Sequence, residues 1–214
     1  MTRNLLRWIL ILSGAFLMSI AVIRAQPYDD HDLRAFLTPP DGCPTPCFMG
    51  IRPGVTTTEE ATAILERHEW VVRVGEDYVK LMQEETDEEL PPLLGTIDWQ
   101  WNGSQPSWID STRDPRFLDG NRSVIAVVIR TKIPLGDVLL TYGIPVNARL
   151  TWSNSDWWGH GFNYDVWYPA QCMYVRAGAP GPPRDVYRQP VEIWYQADPP
   201  ERDLVKLEDT GCKE

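Results

Sequence analysis
Val124-Ile125-Ala126-Val127-Val128-Ile129 is apolar at every position. A strand shows alternate side chains to opposite faces, so an unbroken apolar run predicts a strand covered on both sides, at the centre of a sheet. Downstream, at Pro134-Leu135-Gly136-Asp137-Val138-Leu139-Leu140-Thr141-Tyr142-Gly143-Ile144-Pro145, the period changes. Leu135, Val138, Leu139 and Tyr142 fall at i, i+3, i+4 and i+7, Gly143 suits the left-handed position past a helix end, and Pro145 prevents continuation. The spacing predicts a short amphipathic helix directly after a central strand.

Upstream, Gly50-Ile51-Arg52-Pro53-Gly54-Val55-Thr56-Thr57-Thr58-Glu59-Glu60 carries a helix start. Thr56/Glu59 and Thr57/Glu60 both have the spacing at which hydroxyl and carboxylate satisfy free backbone N–H groups reciprocally. Ala61, Ile64, Leu65 and His68 continue the stripe, with His68 read as a boundary residue. Strands are expected at Trp70–Val74, Ile97–Asn102, Ala148–Trp152, around Asp165–Trp167, at Gln171–Arg176 and at Val191–Tyr195, with polar loops between. Helix then strands occurs twice. The fold class is therefore α+β: two short amphipathic helices on an antiparallel sheet, in two similar halves, 51–131 and 132–214, because neither helix can bury its stripe alone.

Gly54-Val55-Thr56-Thr57-Thr58-Glu59-Glu60-Ala61 resembles the G-[MV]-[ST]-x-x-E-[VA] opening of outer-membrane-assembly lipoproteins of the SmpA/OmlA type. It is also similar to the opening of the related repeat of β-lactamase-inhibitor proteins. Leu139-Leu140-Thr141-Tyr142-Gly143-Ile144-Pro145 is similar to the L-x-x-x-G-x-P end of that helix. The resemblance implies a small envelope module of short helix plus antiparallel strands that binds other proteins and has no catalytic residues to carry over.

At the N-terminus, Arg3 and Arg7 precede the uncharged run Trp8–Ile23, and Arg24-Ala25-Gln26-Pro27 opens a polar chain. That layout predicts export, with the basic residues held on the cytoplasmic side. The run has 16 residues, between the ~7–15 of a signal core and the ~20 that span a bilayer. Two outcomes follow: cleavage near Ala25 and secretion, or retention of residues 5–23 as an anchor in the cytoplasmic membrane. No cysteine follows the run to accept a lipid. Residues 26–50, with five prolines and Asp29-Asp30-His31-Asp32, read as an acidic tether to the domain at 51–214.

Without the three arginines of residues 1–25, 17 basic residues face 30 acidic ones. A surface that negative repels nucleic acid and anionic headgroups, which excludes nucleic-acid binding. Cys43, Cys47, Cys172 and Cys212 all lie in the exported part, where an even count predicts disulfides. Cys43-Pro-Thr-Pro-Cys47 lacks the second pair or nearby histidine of a metal site, so no metal is expected. With two prolines stiffening that segment, Cys47–Cys172 and Cys43–Cys212 are the expected pairs. The acidic run Glu84-Glu85-Thr86-Asp87-Glu88-Glu89 reads as a solvated loop.

No nucleophile elbow, P-loop, dinucleotide fingerprint or H-E-x-x-H occurs, so neither enzymatic activity nor a cofactor is expected. Trp157-Trp158-Gly159-His160-Gly161-Phe162-Asn163-Tyr164-Asp165 is the stretch that can host a site. It reads first as an aromatic hairpin loop. A hydrolase reading would have His160 shuttle a proton beside Asp156 or Asp165. Nine of ten tryptophans follow residue 25. Exposed ones form stacking platforms for glycans or protein-binding patches, and Trp157, Trp158 and Trp167, with His160, are the candidate ligand-binding residues. The leading expectation is a non-enzymatic extracytoplasmic module binding an envelope protein, with a glycan-binding module second.

Overall fold
The computed structural model describes residues 2–25, 30–77, 94–120, 122–145, 147–155, 159–180 and 183–197. Two units divide the chain, Met1–Asp32 and Leu33–Glu214. The first holds helix α1 (Thr2–Ala25), along which Trp8, Leu12, Phe16 and Leu17 are exposed. Among the described residues, no helix is long and apolar enough to cross a membrane.

The second unit is mixed α and β, and mostly sheet. The all-apolar run lies in β4 (Ser123–Pro134), the fourth of the eight strands that the described residues form in one antiparallel sheet. The others are β1 (Val71–Asp77), β2 (Leu94–Trp101), β3 (Arg116–Gly120), β5 (Asn147–Ser155), β6 (Gly159–Tyr168), β7 (Met173–Pro180) and β8 (Pro190–Gln196). Their spatial order is β1-β2-β3-β4-β8-β7-β6-β5. Each set of four strands is an antiparallel meander preceded by a helix, α3 (Thr58–Glu66) for the first and α4 (Leu135–Tyr142) for the second. The fourth strand of each set meets the other at the β4–β8 seam, where Ile129 stands opposite Ile193 and both are fully buried.

One residue sets the parity of β4. Register shifts between Leu118 and Asp119 of β3, so that Leu118 faces Ala126 while Asp119 faces Val124 and Ile125 is left over. Such a bulge moves the strand on by one without a partner. Val124, Val127 and Ile129 therefore all join the main core with Val191, Ile193 and Tyr195 of β8, while Ile125 stays partly exposed.

Of the two possible capping boxes, Thr57/Glu60 forms: the Glu60 N–H donates to Thr57 Oγ1 at 3.2 Å and the Thr57 N–H to Glu60 Oε2 at 3.0 Å. Thr56 instead accepts from the Arg52 N–H at 2.8 Å. At the other helix, the Gly143 N–H caps Leu139 O at 2.9 Å with φ 80°. Its ψ of −166° is extended instead of left-handed helical, which sends the chain straight towards β5.

Three expectations need correction. Within the expected tether 26–50, residues 33–50 belong to the domain instead: α2 (His31–Leu37) places Leu33 and Leu37 in the core beside Phe48 and Ile51, and Phe48 stacks on Tyr195 with centroids 5.4 Å apart. Apolar side chains spaced four apart made that packing available despite the surrounding prolines. Arg116–Gly120, read as loop, is strand β3. Cys43 bonds Cys47, not a distant cysteine, because the chain bends between them and brings their Cα atoms to 6.0 Å, within normal disulfide reach. Cys172 is also disulfide-bonded, and Cys212 lies outside the described residues.

His68, at the end of α3, uses Nδ1 to accept the Trp70 N–H at 3.2 Å and packs edge-on to the Trp70 ring. Burial lowers its pKa below 6.5, opposed by Glu69. A histidine whose pKa is lower folded than unfolded resists a proton that the unfolded chain accepts. Its contribution is therefore whole above pH 6.5 and is lost as pH falls from there through the folded pKa. His68→Ala is expected to flatten that part of the stability–pH curve, as read by urea unfolding across the range. An unchanged slope would show that His68 plays no part in it.

Candidate functional site
Strand alternation gives the sheet two different faces. Towards the helices point Ile97, Phe117, Val127, Ile129, Ile193, Val175 and Val166. On the opposite face, register aligns Arg130, Glu192, Arg176, Asp165 and Arg149 on β4, β8, β7, β6 and β5. Charge alternates along the whole row. Arg130 Nε donates to Glu192 Oε2 at 3.0 Å, and Arg176 Nε to Asp165 Oδ1 at 2.8 Å.

Aromatic rings lie in the neighbouring row. Trp194 Nε1 donates to Glu192 Oε1 at 2.7 Å, Arg176 Nη2 to the Tyr174 hydroxyl at 2.8 Å, and the Arg176 guanidinium lies 5.5 Å from the Tyr174 ring and 6.0 Å from the Trp194 ring. Burial works against the Arg176 charge, but Asp165 and Tyr174 outweigh it and hold its pKa above the ordinary value. Burial raises the Tyr174 pKa. Glu192 and Asp165 are both buried, and their oxygens already accept hydrogen bonds within the sheet. This row is occupied with holding strands together.

Beside its end, Asp110, Arg113, Arg130 and Glu192 border a cleft of about 110 Å³. A small-molecule site takes roughly 300 Å³ or more, so the cleft suits a few waters. Burial opposes the Asp110 charge, but hydrogen bonds from Thr112 together with Lys132 and Arg113 hold its pKa below the usual carboxylate range.

The accessible chemistry is elsewhere, on the helix-side face of β5 and β6. Leu150 stands opposite Tyr164 and Trp152 opposite Phe162, with the Trp152 and Phe162 rings edge-on at 4.9 Å. Tyr164 continues the patch to Tyr187 at 6.4 Å, in the 3-10 segment Pro183–Arg188. Leu150 is 47% exposed, Tyr187 54% and Trp152 60%. Helix placement leaves these side chains open. In the first set of strands α3 packs over the outermost strand, β1, whereas α4 packs against β4 and the Pro183–Arg188 segment.

The residues singled out from sequence are distributed differently. Trp157, Trp158 and Asp156 lie outside the described residues, as does the acidic run at 84–89. His160 is on β6, in register with Asn154, so the stretch read as a hairpin loop is strand from Gly159 onward. Trp167 is no stacking platform: it is fully buried with Cys172, Tyr174 and Trp194 packed around it. Asp165 is paired with Arg176. The exposed Leu150 and Trp152 fall within the expected strand 148–152, and their shared face was readable from their spacing. Their position at an open edge was not.

Comparison with protein-family models, curated proteins and solved structures finds no match.

Proposed function
We propose that the chain is an exported module that acts by binding protein through the helix-side face of β5 and β6, without catalysing a reaction. The observation that carries this reading is the patch formed by exposed Leu150, Trp152 and Tyr187 beside half-buried Phe162 and Tyr164. Adjoining exposed apolar and aromatic side chains lower their free energy by leaving water, and tryptophan and tyrosine dominate the energetics of protein contacts. The likeness of Gly54–Ala61 to envelope protein-binding modules points the same way. The basic flank and apolar run of residues 1–25 support export to the outer side of the membrane.

A photoreactive amino acid at position 152, in cells making the full chain, tests the reading. Discrete protein adducts are expected there, and none from the same group at Glu66, an exposed position on α3. Equal labelling at both positions would remove the patch as a binding surface.

A further inference from the structure
We propose that β5 is the contact strand of a homodimer, in which two copies pair their β5 strands antiparallel around Thr151 and join their sheets into one. This deepens the protein-binding reading and rests on it, by naming a second copy as the partner at the β5 edge, beside Leu150 and Trp152.

The two edges of the sheet differ in the way that matters for strand addition. Unpaired backbone groups at an edge invite another strand; proteins blunt such edges with charges and bulges, and a glycine weakens the strand itself. At one edge, β1 has all three: a register shift between Val71 and Arg73, a glycine at 75, and Arg73, Glu76 and Asp77 within seven residues. At the other edge, β5 has little of this protection. Its register with β6 runs unbroken from Asn147 to Ser155, it contains neither glycine nor proline, and Arg149 is its one charged residue. A chain of net charge −10 thus presents an edge without a carboxylate, where two copies can approach.

The sequence of β5 matches itself. Thr151 is the middle residue of Asn147–Ser155. A two-fold axis through Thr151 and normal to the sheet keeps each face of the pleat together. It sets Leu150 opposite Trp152 of the second copy, and Trp152 opposite Leu150, so the apolar pair forms twice on the helix-side face. Arg149 meets Ser153 instead of its own counterpart, and Asn147 meets Ser155. All nine residues find a partner, whereas axes through Leu150 or Trp152 shorten the overlap. Aromatic–aliphatic pairs opposite each other are among the stabilising cross-strand contacts.

Light scattering on the purified full chain is expected to give twice the 24.5 kDa chain mass. The double variant Leu150→Lys, Trp152→Lys is expected to halve the protein mass with its far-UV circular dichroism preserved, while Val72→Lys on β1 leaves the dimer intact. A wild-type monomer, or a dimer dissociated by Val72→Lys and not by the double variant, would overturn the proposal. Should the double variant misfold, a photoreactive residue at 151 decides: a cross-link to residues 147–155 of a second copy supports the dimer, and adducts confined to other proteins remove it. A monomer that still gives protein adducts from position 152 removes the dimer and leaves the binding reading standing. Loss of both removes both.

Discussion

Glu192→Ala is expected to lower stability by about 3–5 kcal/mol, the range found when one partner of a buried ion pair is removed. Glu192 is 3% exposed in its side chain and Arg130 13%, so solvent screens the pair little. One carboxylate serves two donors, Arg130 Nε and Trp194 Nε1, and alanine leaves the guanidinium desolvated without this carboxylate and the indole N–H without its acceptor. For a chain of this length the loss corresponds to a fall of roughly 10 °C in Tm. Glu192→Gln retains an oxygen for Trp194 and should cost less. Thermal unfolding of both variants is the measurement. Equal, small shifts would mean that the row contributes little to stability.

The second large effect is expected at the seam. Ile193→Ala removes a fully buried side chain opposite Ile129, at a cost of about 2–5 kcal/mol set by how far the surroundings collapse. Because β4 and β8 are the join between the two sets of strands, the loss falls on both. The urea midpoint should drop with an unchanged slope, and tryptophan fluorescence and circular dichroism should report the same transition. Two separate transitions would show instead that each helix-plus-four-strand set unfolds alone.

What could be read beforehand follows from which interactions are local. The capping box at Thr57 and Glu60 involves residues three apart, and the sequence shows both groups. The run at Val124–Ile129 is apolar throughout because both faces of the central strand are covered: Val127 and Ile129 by the main core, and Ala126 and Val128 on the opposite side. Strand β3 was missed because only Phe117 of its five residues is fully buried, while Arg116 and Asp119 gave it the look of a loop. Glycines at 159 and 161 pointed to a turn, yet pairing with Ser155 and Ser153 holds them in β6. Trp167 could not be assigned an environment without knowing that the face opposite the helices is buried as well. The edge position of β5, on which the binding surface depends, is a property of strand order and is set by contacts distant in sequence.

The row of Arg130, Glu192, Arg176, Asp165 and Arg149 has a consequence for how the chain finds its alignment. Alternating apolar and polar residues distinguish a sheet from the same sheet with one strand slid by a single residue, since every side chain changes face. They do not distinguish a slide of two, which returns each side chain to its own face with the apolar pattern intact. Sliding β7 by two past β8 and β6 takes Arg176 away from both Glu192 and Asp165 and leaves the buried carboxylates facing Tyr174 or Gly178. Hydrophobic patterning thus selects the face, and five aligned charges remove the ambiguity that remains among registers sharing it.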